Sequence, residues 1–371
     1  MSFATISRLL IILFLLGWNL ATHGQSTNQK PIKLQSVLDT LFDRNDPFNG
    51  VILIAHKGKI QVEQAFGFRD FETKKKLKAD DIFELASVSK QFTAYIIMML
   101  EKQGKLKYDD LVDQYVSIPY QGISIRHLLN HISGLPDYQA IMDTYWDKSR
   151  VADNGIIIDY LNRYAPPALF KPGEKYEYSN TGYVLLASIA EKASGRDFTE
   201  MLRTEVFQRL GMKSTDLRTP SEKKLLSHLA YGHIKGESGG YIKADSFPSS
   251  NYTIWLGNRE GPGRISSTAS DLLKWDRALY DTSFMSEQMK RDAFKDAVLN
   301  NGNVSMYGFG WDLGKDERLG LYVEHNGDNP GYKTHILRFI EEDKTIIILC
   351  NNAHERFERL LETLKGAMLE F

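Results

Sequence analysis

Hydrophobic residues recur with two different periods along the chain. Near its start, the stretch KLQSVLDTLFD has apolar residues at helical spacing, and GVILIAHKGKIQVEQAFGFRD contains two apolar runs joined at HKGK. Such patterns are typical of a helix followed by two β-strands. The folded chain is therefore predicted to open with a helix and two strands.

From Ser87 to about Leu299 the apolar spacing is mostly helical, and several segments end at glycine, a common helix C-terminus. These segments are KQFTAYIIMMLEKQGKL, IRHLLNHISGL, GYVLLASIAEKASG, FTEMLRTEVFQRLG and TASDLLKWDRALY. Strand patterns return in YGFGWDLG, LGLYVEHNG, KTHILRFIEE and KTIIILCNN, and HERFERLLETLKGAMLEF is an amphipathic helix. Strands at both ends with helices between them predict an α+β fold.

In that fold, one sheet is assembled from the two ends of the chain, and a mainly helical lobe is inserted between them. We expect the sheet lobe to span about 30–86 and 305–371, and the helical lobe about 87–304. A cleft between two such lobes is a natural place for a ligand. Ser87 falls at the junction.

The first two dozen residues differ in kind, with Arg8 before an apolar block, Leu9–Trp18, and small residues near Gly24. This pattern is typical of a secretory signal peptide. The block is well short of the ~20 residues that a membrane-spanning helix needs. We therefore expect residues 1–24 to be removed, and 25–371 to form an exported domain, periplasmic or secreted, without stable insertion in a membrane.

Composition narrows the classes of partner. The 371 residues include 42% hydrophobic residues and carry a net charge of −1, which gives no field for nucleic acid or an anionic membrane surface. The one cysteine, Cys350, lies in the apolar run TIIILC and is expected to be buried, so no internal disulfide can form. We expect a small-molecule or peptide substrate and find no sign of an obligate protein partner.

The stretch FELASVSKQFTAYIIMML carries the first candidate chemistry. A helix beginning near Ser87 would place the Lys90 ammonium beside the Ser87 hydroxyl, because side chains at i and i+3 share a face. A lysine can take the serine proton only if burial or cationic neighbours lower its pKa. The helix N-terminus would also stabilise negative charge on an attacked carbonyl oxygen. Each feature suits acyl transfer.

Two other serines match hydrolase patterns. Ser221 and Lys224 repeat the Ser-x-x-Lys spacing within the polar stretch SEKKLLSH, without an apolar helix after them. Ser238 lies in GESGG, a Gly-x-Ser-x-Gly match that requires a strand, a sharp turn and then a helix. Its flanks, AYGHIK and GYIKADS, indicate two short strands instead. Both serines are therefore disfavoured.

Two further stretches present polar groups from loops. FKPGEKYEYSNTGYVLL places a turn before Tyr178 and Asn180 and then opens a helix, and a phenol near a lysine can relay a proton. EHNGDNPGYKT closes a strand with His325, Asn326 and Gly327. Taken alone, the first stretch is equally compatible with capping and packing, and a lone histidine at a strand end is usually structural. No His, Cys or carboxylate cluster has metal spacing and no phosphate loop follows a strand, so neither metal nor cofactor is expected.

In order, Ser87-Val-Ser-Lys90, Tyr178-Ser-Asn180 and His325-Asn-Gly327 resemble the three active-site motifs of the penicillin-recognising serine hydrolases. The closest likeness is to the class C β-lactamase-like branch, which includes D-alanyl-D-alanine carboxypeptidases, D-aminopeptidases and esterases. Supporting stretches are IRHLLNHISGLPDY, GPGRISSTASDLLKWDRAL and NPGYKT, and the likeness runs from about Leu34 to Asn352. The resemblance implies a β-lactamase/transpeptidase-like fold with an antiparallel sheet and terminal helices.

The resemblance implies that Ser87 is acylated, with Lys90 and Tyr178 sharing the proton transfers, and that water then releases the acyl group. The backbone N–H groups of Ser87 and Asp328 would stabilise the oxyanion, and Asn180 would orient the acyl amide. His325, Asn326, Gly327 and Asp328 would border the bound substrate. His131, in NHISGL, is expected to serve packing or capping.

The third motif departs from the Lys-Thr-Gly or Lys-Ser-Gly of many lactamases, with His325 and Asn326 in those places. Because that lysine and hydroxyl help to bind a substrate carboxylate, the change weakens the case for efficient β-lactam hydrolysis. The sequence thus predicts a hydrolase of esters or of D-amino-acid peptide amides. The alternative is a catalytically silent protein that binds peptidoglycan peptides or β-lactams. Substrate choice is expected to depend on loops 137–153 and 246–260. The aromatic residues Tyr145, Trp146, Tyr252 and Trp255 either line the cleft or pack half-buried.

Overall fold

The structure is a computed structural model that describes residues 34–237, 239–247 and 251–368. The expected leader, residues 1–24, and Ser238 lie outside these ranges. Within the described ranges, no helix is long and apolar enough to cross a bilayer.

The described strands are β1 Gly50–His56, β2 Lys59–Phe66, β3 Phe68–Asp70, β4 Lys75–Lys76, β5 Phe83–Glu84, β6 Asp216–Leu217, β7 His233–Lys235, β8 Tyr241–Lys243, β9 Ile265–Ser267, β10 Asp312–Asp316, β11 Gly320–Asn329, β12 Tyr332–Phe339 and β13 Lys344–Cys350. The described α-helices are α1 Leu34–Leu41, α2 Lys90–Lys102, α3 Ile125–Leu129, α4 Tyr138–Tyr145, α5 Asn154–Tyr164, α6 Asn180–Ser194, α7 Phe198–Leu202, α8 Pro220–Lys224, α9 Tyr252–Trp255, α10 Ala269–Ala278, α11 Glu287–Ala293 and α12 Phe357–Ala367.

A six-stranded antiparallel sheet runs in the order β10-β11-β12-β13-β1-β2. β1 and β2 come from the start of the chain and the other four strands from its end, so the predicted α+β fold with a sheet from both termini is confirmed. The β1–β2 hairpin turns at Lys57 and Gly58, whose φ angles of 50° and 71° match the turn that suits the twist of paired strands.

The central strands are buried on both faces, which explains their nearly continuous apolar sequences. Alternate residues of β1 and β13 face opposite sides of the sheet. One set packs against α2 and the helical lobe, and it includes Val51, Leu53, Ile347 and Leu349. The other set packs against α12 and its neighbours, and it includes Ile52, Ile54, Ile346, Ile348 and the buried free thiol of Cys350. The sheet therefore separates two hydrophobic cores.

α2 is the central helix of the inserted lobe. Its residues from Lys90 to Leu100 are all buried, including the polar Lys90, Gln91 and Thr93. Immediately before it, β5 pairs with β9, and β9 pairs with β6, in a small three-stranded sheet. A 3₁₀ turn, Ala86–Ser89, joins β5 to α2. The small sheet was not predicted, because strands of two or three residues show no periodicity.

The stretch YGFGWDLG is only partly the strand that its pattern predicts. β10 begins at Asp312, and residues 307–311 form a loop that precedes it. Gly310 has a φ of 79° and lies against the backbone of Lys90 and Gln91, where a Cβ would sit 2.9 Å from the Lys90 carbonyl oxygen. The loop therefore packs against the start of α2, which excludes an extended strand here.

Candidate active site

Ser87 and Lys90 lie where β5 ends and α2 begins, in the predicted order. Ser87 is the second residue of the 3₁₀ turn, and Lys90 is the first residue of α2. Ala86, directly before Ser87, has a φ of 49°, a left-handed conformation that costs an L-residue roughly 1–2 kcal/mol. Strain of this kind persists only where the surrounding structure holds it, and it is common at functional sites.

The Lys90 amine points at the Ser87 hydroxyl. Its Nζ lies 3.0 Å from Ser87 Oγ, 2.9 Å from Asn180 Oδ1 and 2.9 Å from the Pro262 carbonyl oxygen. The amide and carbonyl oxygens can only accept hydrogen bonds. A neutral amine would therefore donate its two N–H bonds to them and turn its lone pair toward the Ser87 hydroxyl, which is the orientation of a base.

Burial favours that neutral amine. Lys90 is 0% exposed, and this desolvation lowers its pKa well below the ordinary value for lysine. The Asp137 carboxylate opposes the shift, and the Arg259 guanidinium adds to it. A lysine can act as the base only if its pKa is lowered, and the environment of Lys90 lowers it.

Tyr178 covers the Lys90 amine on another side. Lys90 Nζ lies 4.7 Å from the centre of the Tyr178 ring, and the phenol oxygen is buried without a partner of regular hydrogen-bond geometry among the described residues. Burial raises the pKa of Tyr178 well above its ordinary value, although the nearby Ser87 hydroxyl lowers it in part. The phenol is thus protonated at neutral pH and faces Ser87 as a possible proton donor.

His131 supports the Tyr178 loop, in the packing role predicted for it. Its Nδ1 accepts a hydrogen bond of 3.1 Å from the Ser179 N–H, and its ring lies 4.2 Å from that of Tyr178. Burial and the nearby Lys90 and His325 lower the pKa of His131 well below the ordinary value. A neutral imidazole therefore holds the loop in place.

Asn180, the first residue of α6, joins Lys90 to an acidic residue that sequence reasoning missed. Its Oδ1 accepts from Lys90, and its Nδ2 donates to Asp137 Oδ2 at 3.1 Å. Asp137 also caps α4 by accepting from the Gln139 N–H at 2.8 Å. Because a carboxylate accepts only, Asp137 fixes which way the Asn180 amide faces.

His325 is on β11, but its ring does not face the cleft. The residue is 0% exposed; Nδ1 lies 2.6 Å from the Asn326 carbonyl oxygen, and Nε2 lies 2.9 Å from the Tyr307 hydroxyl. Burial, with Lys90 nearby, lowers the pKa of His325 to about 3. Both nitrogens are engaged within the protein and the ring is neutral, so it supplies no positive charge to a ligand.

The rest of the third motif brings β11 against Ser87. Asn326 and Asp328 are exposed, and Gly327 between them is buried. A Cβ on Gly327 would lie 2.2 Å from the Leu85 carbonyl oxygen and 2.3 Å from Thr334 Oγ1. Only glycine fits this close approach. β10 pairs with β11 only as far as Glu324, so the following part of β11 has β12 on one side and the cleft on the other.

A narrow cleft opens at Ser87 between β11, α4, α6 and the loop before β9. The residues that line it are Ala86, Ser87, Tyr138, Gln139, Asn180, Tyr252, Arg259, Pro262, Gly263, Asp328 and Asn329. It therefore brings together Ser87, Asn180 and Asp328 of the predicted site. Tyr138, Arg259 and Asn329 were missed, because a single residue at a helix start, in a loop or at a strand end follows no pattern that one sequence reveals.

The four aromatic residues named in the sequence analysis lie in different environments. Tyr252 lines the cleft and lies with its hydroxyl 3.3 Å from Asn329 Oδ1. Trp146 and Trp255 are buried in a small core beneath it. Tyr145 is half exposed and stacks on Tyr164, with ring centres 3.8 Å apart. Only Tyr252 of the four thus contributes to the cleft.

Of the two rival serines, Ser221 does not join this site. Ser221 and Lys224 are exposed on α8, and Ser221 Oγ lies 3.0 Å from Thr219 Oγ1. β7 and β8, which flank Ser238, form the hairpin that the sequence predicted, while Ser238 itself is outside the described residues. In the ranges that the structure describes, no cluster of His, Cys, Asp and Glu is arranged to hold a metal ion.

Comparison with known proteins identifies a family and similar folds. The Beta-lactamase family model matches residues 38–367. Penicillin-binding protein 4* of Bacillus subtilis (strain 168) is 41% identical over 326 residues, which cover 87% of this chain and 72% of that protein. The crystal structure of a penicillin binding protein from Bacillus halodurans has a TM-score of 0.74 at 23% identity, covering 86% of this chain and 95% of that one. D-amino acid amidase from Ochrobactrum anthropi SV3, complexed with D-phenylalanine, has a TM-score of 0.70 at 24% identity, covering 86% and 95%.

Proposed function

The chain belongs to the β-lactamase family of serine hydrolases, and from this premise we propose that Ser87 forms an acyl-enzyme with an ester or a D-amino-acid peptide amide. The observation that carries the proposal is the buried Lys90 amine, 3.0 Å from Ser87 Oγ and oriented as a base by Asn180 and Pro262. A surface serine beside a solvated lysine would have none of these contacts.

In the proposed first step, the Ser87 proton passes to the neutral Lys90 amine as Ser87 Oγ bonds to the substrate carbonyl carbon. The C–O or C–N bond then breaks, and the leaving group takes a proton from Lys90 through the Tyr178 hydroxyl. A water molecule attacks the Ser87 ester, gives its proton back through the same groups, and releases the acid. Ser87 recovers its hydroxyl, so the cycle consumes one water and needs no cofactor.

Two backbone N–H groups, of Ser87 and Asp328, are the proposed oxyanion donors. Asp328 lines the cleft with Ser87, and the close approach of Gly327 to the Leu85 carbonyl holds β11 beside the turn that carries Ser87. In well-studied hydrolases, the loss of one such donor costs about 10²–10³ in rate. Asn326, exposed on β11, is the proposed substrate contact next to them.

The substrate class follows from the same geometry. His325 stands where many lactamases have a lysine that holds the β-lactam carboxylate. Because its ring is neutral, His325 supplies no positive charge in place of that lysine. Among the similar proteins, one is named a penicillin-binding protein and another a D-amino acid amidase. Both names fit acyl transfer from amides, and we assign slow β-lactam acylation, with ester or D-peptide cleavage as the turnover reaction.

Export is proposed from the composition of the leader. An apolar block of ten residues after Arg8, followed by small residues, is typical of a cleaved signal peptide. Removal of residues 1–24 would leave 25–371 as one hydrolase domain with a sheet lobe and a helical lobe. Edman sequencing of the protein recovered from the periplasm or medium tests the cleavage position.

The test of the nucleophile uses a serine-directed fluorophosphonate and, in parallel, a penicillin. We expect one adduct per chain on the Ser87 peptide by intact mass and peptide mapping, no adduct in Ser87→Ala, and wild-type labelling in Ser221→Ala. Ser87→Ala should also lose ester turnover. Wild-type turnover by Ser87→Ala, or an adduct on the Ser238 peptide, would contradict the proposal.

A further inference from the structure

Arg259 is a buried cation without a carboxylate partner. It lies in the loop between α9 and β9, is 5% exposed, and donates from Nη1 to the Leu256 carbonyl oxygen at 3.2 Å. No carboxylate of the described residues lies within 4.0 Å of its guanidinium. The Tyr138 hydroxyl is within hydrogen-bonding reach of the guanidinium, and the carboxylates of Glu84 and Asp137 attract it from beyond 4.0 Å. Burying a charge is costly unless it is closely paired, so a guanidinium held in this way is suited to a nearer carboxylate that arrives with a ligand.

Arg259 shares the cleft with the reacting serine. Arg259 lines the same cleft as Ser87, together with Tyr138 and Tyr252. A Cβ built on Gly263 would lie 3.8 Å from Arg259 Nη2 and 3.7 Å from the carbonyl oxygen of Ala86. Gly263 is therefore within ordinary van der Waals range of both Arg259 Nη2 and the residue that precedes Ser87.

The other charged side chains around the cleft do not occupy its Arg259 side, so an anion can bind there. Among the described residues that line it, Arg259 is the one cationic side chain. The Asp137 carboxylate is engaged by the Asn180 amide and by the N-terminus of α4. Asp328 lies across the cleft on β11, and burial raises the pKa of its carboxyl above the ordinary value.

We infer that Arg259 is a specificity-determining residue that binds a carboxylate of the substrate beside the scissile bond. Arginine suits this task because its planar fork can donate two parallel hydrogen bonds to one carboxylate. The inference rests on the proposed function, since it names which esters and amides Ser87 would prefer. A site without the third-motif lysine would thus still select acidic substrates, from the opposite wall of the cleft.

The experiment compares matched thioesters that differ in one group. The first pair is the N-benzoylglycyl thioester of thioglycolic acid and that of thioglycolamide; a second pair carries the acid or amide on the acyl group instead. In Arg259→Gln we expect kcat/KM to fall at least tenfold for the acid of one pair, and less than threefold for its amide. Arg259→Lys should restore part of the activity on that acid.

Lys148→Gln is the matched control, because Lys148 is a nearby exposed cation that packs over Trp255 outside the cleft. Lys148→Gln should leave kcat/KM unchanged for both the acid and the amide of each pair. Equal losses for acid and amide in Arg259→Gln would overturn the inference, since they indicate a structural role. A shift of the pH profile with equal losses would also overturn it, since Arg259 would then act through Lys90.

A second readout does not depend on turnover. N-acetyl-D-alanine should slow fluorophosphonate labelling of Ser87 in the wild type and not in Arg259→Gln, whereas N-acetyl-D-alaninamide should protect neither. Protection of both proteins to the same extent would also contradict the carboxylate role. Failure of Ser87 to be labelled in the wild type would instead contradict the proposed function, so the two failures are distinguishable.

Discussion

At the scale of single residues, the proton on Lys90 decides whether Ser87 can react. Burial lowers the pKa of Lys90, so the amine loses its proton at a lower pH than the ordinary value of about 10.4. The neutral form is the base, and reactivity must therefore rise as pH increases through the lowered pKa. We expect the fluorophosphonate labelling rate of Ser87 to rise with pH to a plateau whose midpoint lies well below 10.4.

Asp137→Asn tests the direction in which the pKa of Lys90 shifts the pH dependence of labelling. The Asp137 carboxylate raises the pKa of Lys90, so its removal should move the midpoint of the labelling profile to lower pH. His131 and His325 cannot account for the midpoint, because burial lowers the pKa of both rings and they are neutral near pH 7. A midpoint that stays in place or moves to higher pH in Asp137→Asn would contradict the role of Lys90 as base.

At the scale of elements, the site depends on how closely β11 approaches the turn before α2. Gly327→Ala would place a methyl group 2.2 Å from the Leu85 carbonyl oxygen and force the strand away. We expect the free energy of unfolding to fall by about 1–3 kcal/mol, as in other overpacked sites. The labelling rate of the folded protein should fall more than tenfold, because the Asp328 N–H moves with the strand.

Gly366→Ala is the matched control for this change, since a Cβ there meets no atom within 4 Å and the residue lies on the exposed side of α12. It should leave labelling unchanged and stabilise the helix slightly. Unfolding in urea measures stability, and stopped-flow labelling measures reactivity. Labelling of Gly327→Ala at the wild-type rate would show that the approach of β11 is not needed for reaction.

The same elements show what a sequence can and cannot predict. The apolar runs of β1 and β13 and the helical spacing of α2 predicted the sheet and the buried helix, because long elements repeat their pattern. The side-by-side placement of Ser87 and Lys90 followed from their i, i+3 spacing, although Ser87 lies in the 3₁₀ turn and only Lys90 in α2. Arg259 and Asp137 could not be found in this way, because their roles come from contacts between residues far apart in the sequence. The buried His325 ring likewise contacts Tyr307 in the loop before β10, which no local pattern predicts.

At the scale of the whole molecule, the sheet can be completed only when both ends of the chain are present. β1 lies between β2, from the start of the chain, and β13, from its end. Ser87 is not on a strand of this sheet, but the turn that carries it, Ala86–Ser89, is contacted by β11 and β12. The active site is therefore assembled by contacts between residues more than two hundred positions apart, such as Thr334 Oγ1 donating to the Leu85 carbonyl oxygen at 2.7 Å.

Because α12 covers the sheet face opposite the helical lobe, it should stabilise the site without taking part in its chemistry. Leu360 of α12 is 0% exposed in the core formed with Ile52 and Ile348. Leu360→Ala should lower the free energy of unfolding by about 2–5 kcal/mol. The exposed neighbour Glu362→Ala removes one surface ion pair, with Lys365 at 3.4 Å, and should cost at most about 1 kcal/mol.

In Leu360→Ala the folded protein should still label at Ser87 within twofold of the wild-type rate, and ester turnover should be lost at the same urea concentration as tryptophan fluorescence changes. The two transitions are expected to coincide because one sheet joins both cores. Neither core can then unfold while the other stays folded. If turnover were lost well before fluorescence, the helical lobe would unfold separately from the sheet. The junction at Ser87 would then be a boundary between two cooperative units instead of the middle of one.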